Sequence, residues 1–145
     1  MKNFIYSIVL FITFVFTPTF SWGGVDGKGI FCKGDFELFD DEKYLFKNNK
    51  VIRYELSVTN NDKYEIKVTP YEGNYGVSHS SIFWSYGPFN VSLNRKTLTL
   101  IRYIGDSETK RSCVVYSEMD FLEKVNEEKE RLQSEYDEKT NDNKI

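Results

Sequence analysis

"SSIFWSYGPFNVSLNRKTLTL", residues 80–100, holds the pattern on which the fold turns. Phe89, Val91 and Leu93 alternate with Asn90 and Ser92, the period-two signature of a half-buried strand. Leu98 and Leu100 resume the same alternation after "NRK", and Gly87-Pro88 makes a turn on the other side. The stretch therefore predicts hairpins, with Phe89, Val91, Leu93, Leu98 and Leu100 facing a core. Phe83 and Trp84 are consecutive, so they face opposite sides of their strand.

The same period runs outward in both directions. "VIRYELSV" sets Ile52, Tyr54, Leu56 and Val58 against Arg53, Glu55 and Ser57. "YEIKVT" sets Tyr64, Ile66 and Val68 against Glu65, Lys67 and Thr69. "GIFCKG", "KYLF", "TLTLIRY" and "SCVVYS" complete about eight short strands, with turn-formers "KNNK", "NND", "YGP" and "NRK" between them. Short strands joined by tight turns predict an all-β chain, a small antiparallel meander closing into a barrel-like sheet. After Ser117 the period changes to helical. Ser117 is a good N-cap with Asp120 three residues on, and Leu122, Val125, Leu132 and Tyr136 form a thin apolar seam. One C-terminal α-helix is expected over 118–138, with a disordered tail at 139–145.

The N-terminus has one lysine, thirteen mostly apolar residues from Phe4 to Phe16, and then Pro18. That is the three-part pattern of a signal peptide, assigned to 1–21. A spanning helix needs about 20 apolar residues, so a membrane is met only through this segment if it stays uncleaved. The expectation is an exported protein, periplasmic or secreted, with a flexible lead-in at 22–29 and a β domain at 30–117. Export puts Cys32 and Cys113 in an oxidising compartment, and an even count there reads as one disulfide. In the chain-entropy model its large loop is worth about 4.5 kcal/mol.

Charge excludes one class of partner. Residues 22–117 carry 13 basic and 12 acidic side chains, and residues 118–145 carry 5 and 10. No basic face is implied, so no nucleic acid is expected. Alanine is absent and lysine outnumbers arginine 14 to 5, a bias that AT-rich codons produce by themselves.

Chemistry is sparse. His79 in "SHSS" has serines only as sequence neighbours, which cannot supply triad geometry. A zinc site lacks ligands, since His79 is the only histidine and the cysteines are paired off. Asp40, Asp41 and Glu42 are contiguous acids, unlike a spaced calcium loop. "WGGVDGKG" falls one residue short of a phosphate-binding loop and lacks its Ser/Thr. No catalytic residues, no metal and no cofactor are assigned, and the chain is read as non-enzymatic. Aromatics dominate binding surfaces as well as cores. The candidate binding residues are Trp84 and Tyr86 beside the Gly87-Pro88 turn, with Tyr71 and Tyr75 in a glycine-flexed neighbour. The expected function is a monomeric module that binds another protein or an envelope component. The alternative is a lipocalin-like carrier of a small apolar ligand.

The order "GIFCKG", "YLFKNNKV", Trp84, "VSLNRKTLTL", "SCVVYS" and a Lys/Glu-rich tail resembles a group of short exported bacterial proteins, found mainly in AT-rich marine lineages, to which no activity is assigned. That resemblance implies export and carries over no catalytic residues. Early Cys, single Trp and late Cys on an eight-stranded barrel is also similar, more distantly, to the periplasmic inhibitors of C-type lysozyme. Their inhibitory loop motif has no match here.

Overall fold

The computed structural model describes residues 24–34 and 41–142. The assigned signal peptide and the end of the tail lie outside the described residues. Among the described residues nine antiparallel strands form one sheet: β1 (Lys28–Gly34), β2 (Glu42–Lys47), β3 (Lys50–Val58), β4 (Tyr64–Asn74), β5 (Gly76–Val77), β6 (Ser81–Tyr86), β7 (Phe89–Asn94), β8 (Thr99–Ile104) and β9 (Ser107–Ser117). Helix α1 follows at once, Glu118–Asp142. It runs past the expected end at 138.

The spatial order is β4-β3-β2-β1-β9-β8-β7-β6-β5. Every neighbouring pair is a sequence-local hairpin except β1 with β9, which joins the two arms of the meander. The outer strands curl toward each other until β4 approaches β6, giving a near-closed barrel. Turn chemistry fits. Asn48 and Asn49 both have positive φ, 53° and 60°, in the two-residue loop between Lys47 and Lys50, as a type I′ turn demands.

Inside the barrel pack Ile30, Cys32, Tyr44, Phe46, Ile82, Trp84, Val91, Leu93, Leu100 and Cys113. Cys32 and Cys113 are directly opposed on β1 and β9 and form the disulfide. Residues 24–29, read above as a flexible lead-in, behave otherwise. Val25 is buried, Gly27 N donates to Phe46 O, Glu118 N donates to Gly27 O, and Lys28 begins β1.

The apolar side of β3 corrects a simple inside-outside reading. Ile52, Tyr54 and Leu56 point away from the barrel and pack under α1, in a second cluster centred on Leu45, Phe121 and Val125. Phe121 and Val125 are fully buried, and each such side chain is worth about 1.5–3 kcal/mol. Gly29 makes the approach possible, because a Cβ there would stand 2.2 Å from the Phe121 ring. Ser117 Oγ accepts from Asp120 N at 3.2 Å, so the helix begins where the cap was expected. Further along, Lys43 pairs with Glu128 at 3.3 Å. Tyr64 N donates to Gln133 Oε1 at 2.7 Å.

Candidate functional site

The register of β6 decides the fate of the aromatic candidates. Trp84 stands opposite Val91 and faces inward, 4% exposed. Its ring meets Tyr44 and Phe46 edge-on, with centroids 5.2 and 5.6 Å away. Tyr86 also faces inward and stacks on Tyr71 at 4.4 Å and 4°, joining β6 to β4 across the seam. Tyr75 lies at the other end, edge-on to Phe46 at 5.3 Å, with its hydroxyl donating to Asp26 Oδ1 at 2.5 Å. The structure thus brings Tyr71, Tyr86 and Trp84 together around Tyr44, inside the barrel. The outward aromatic of β6 is Phe83.

Polar groups gather at the barrel end beside the Gly87-Pro88 turn. Glu42, 3% exposed, pairs with Arg102 and with Arg111 Nε at 3.5 Å, and accepts a hydrogen bond from Tyr44 Oη at 3.2 Å. Arg102 also donates to Tyr86 Oη at 3.5 Å and lies over the Phe89 ring. Burial, then the adjacent Glu42 carboxylate, pushes the Tyr44 hydroxyl well above the ordinary tyrosine range. Burial does the same to Tyr71. Tyr44 therefore remains a protonated donor, and the two arginines neutralise the buried carboxylate. This is an ion-paired plug, since breaking such a set leaves an uncompensated charge in the interior.

The "SHSS" segment is a small loop in which Ser78 Oγ exchanges hydrogen bonds with the Ser81 backbone. Its serines shape a turn. Among the described residues no group of three or more His, Cys, Asp or Glu is arranged to hold a metal ion.

Two surfaces escaped the sequence reading. The first is the outer face of β5–β8. Gly76, Phe83, Ser92 and Ile101 form one row across it, and Ser85, Asn90 and Tyr103 the next. With Ser81, Asn94 and Thr99 these make ten outward positions, none charged, in a chain that is 28% charged. Phe83, 51% exposed, packs against Gly76, where a Cβ would stand 2.2 Å from its ring. The signal was present in the sequence as the uncharged alternate positions of "SIFWSY" and "FNVSLN". The second is an apolar opening at the barrel end where the chain enters, lined by Val25, Ile30, Phe46, Ile82, Leu93 and Leu98.

No family model, no curated protein and no solved structure matches the chain.

Proposed function

We propose that the protein is an exported, monomeric binding module without catalytic activity, which engages another protein through the outer face of β5–β8. The observation that carries this is the absence of charge from ten contiguous outward positions around a half-exposed Phe83. Interface cores are depleted of charged residues and enriched in aromatics. A surface of Ser, Asn, Tyr and Phe on rigid strands has the composition of a paratope, in which rigid rings supply contact area and small polar groups supply adaptable hydrogen bonds. An enclosed carrier of the lipocalin kind is disfavoured, because Tyr44, Phe46 and Trp84 fill the interior. A smaller ligand is favoured only at the apolar opening.

The test places a photoreactive residue at position 83 in the producing cell. One discrete covalent adduct with another protein is expected, abolished by Ser92→Glu at an unchanged melting temperature. No adduct, an adduct that survives Ser92→Glu, or one of twice the chain's own mass would overturn the reading.

A further inference from the structure

The apolar opening is a pocket of about 180 Å³. That is below the roughly 300 Å³ at which drug-sized sites begin, so it suits a short chain or a single ring. Phe46, Ile82 and Leu93 form its floor and are at most 5% exposed. Lys28 and Arg95 stand at its edge.

Those two cations have no carboxylate partner within ion-pair distance among the described residues. Arg95 donates to the carbonyl of Ser78 at 3.3 Å. The acid at the same end, Asp26, already accepts from Tyr75 Oη and Asn49 N. An apolar floor with two unneutralised cations above it is complementary to an anion carrying an apolar tail.

Leu98 is an independent sign. It lines the pocket with φ at +54°, a left-handed conformation that glycine or asparagine ordinarily occupies and a bulky side chain resists. Its backbone is pinned there, with N donating to Asn94 O at 2.9 Å and O accepting from Cys113 N at 2.8 Å. Strained residues of this kind gather at ligand clamps. Glycine would satisfy the turn, but leucine adds a pocket wall.

We propose that this end of the barrel binds a small amphiphilic carboxylate. Its tail lies among Phe46, Ile82, Leu93 and Leu98, and its carboxylate between Lys28 and Arg95. The site is independent of the outer face of β5–β8, because it opens at the strand ends rather than on their sides.

The test is titration calorimetry of the protein, as the cell produces it, with octanoate and with octan-1-ol. Octanoate should bind saturably, one per chain, and the alcohol at least about tenfold more weakly, since the lost contacts are charge-assisted. Lys28→Gln combined with Arg95→Gln should remove that preference and leave octan-1-ol binding unchanged. Leu98→Gly, which relaxes the backbone and keeps the turn, should weaken both ligands. Equal affinity for acid and alcohol, an octanoate affinity indifferent to the double variant, or no binding at all overturns the proposal.

Discussion

Strands β3 and β7 alternate equally well and point their apolar sides in opposite directions. On β7, Val91 and Leu93 face the barrel. On β3, Ile52, Tyr54 and Leu56 face α1, while Arg53 takes the inward side. The difference lies in the cover. Strands β1–β4, with Tyr116 of β9, have two cores, one on each side, because the helix lies on their outer face; strands β6–β8 have one core and a bare exterior. Alternation tells which residues share a face, and only the second layer tells which face is inside.

The largest way to break this comparison is to remove the second layer. Truncation after Ser117 should abolish cooperative unfolding in urea, since it uncovers Leu45, Ile52, Tyr54 and Leu56 together. Truncation after Glu128 keeps Phe121 and Val125 and should leave a sharp, slightly earlier transition. Two cooperative transitions of equal midpoint would show that the outer core is idle.

Next come the interior residues. Trp84→Ala should cost about 3–5 kcal/mol, and Glu42→Gln a similar amount by stranding Arg102 and Arg111. Outward Leu45 on the two-sided arm should behave as core, with Leu45→Ala matching Leu100→Ala at about 2–5 kcal/mol. Chemical denaturation of these variants checks all four values. If Leu45→Ala is mild, the helix seat contributes little.

Replacing Cys32 and Cys113 together by serine should lower stability by about 2–5 kcal/mol, read as a drop in melting temperature under oxidising conditions. Alkaline titration gives a subtler contrast. Tyr44, Tyr71 and Tyr75, all on or beside the two-sided arm, have pKa values raised mainly by burial. Below the unfolded tyrosine pKa of about 10 both states are protonated and stability is complete. Above it the unfolded chain ionises first, so stability falls as pH rises. Tyr44→Phe should flatten that fall in melts between pH 9 and 11.

The smallest effect belongs to the bare exterior. Phe83→Ala should shift stability by about 0.5 kcal/mol, as surface substitutions do. A loss equal to that of Trp84→Ala would mean that Phe83 is structural.

The β-class, the hairpin at Phe89–Leu93, the helix start at Ser117 and the Cys32–Cys113 bridge were legible because each rests on local signals: period, turn residues, a cap, an even cysteine count. The two-residue strand β5 has no periodicity to detect. The helix anchor Phe121 was missed in favour of Leu122, because its burial depends on the absence of a side chain at Gly29, 92 residues away in sequence. Trp84 and Phe83 were known to face apart, but local sequence does not say which is inside. Leu98 was expected on a strand; it occupies the turn instead, and only backbone geometry reveals that.

The pairing of β1 with β9 also sets an order of events. A chain emerging from its N-terminus can zip β2–β3–β4 and then β6–β7–β8 from local contacts as each hairpin is completed. The joint in the middle of the sheet must wait for the last strand, with a separation of 81 residues between its bridged cysteines. Closing so long a loop is the slow, entropically opposed event of assembly. Until it happens both edges of the central gap are unpaired, so the chain is most exposed to wrong partners just before β9 docks.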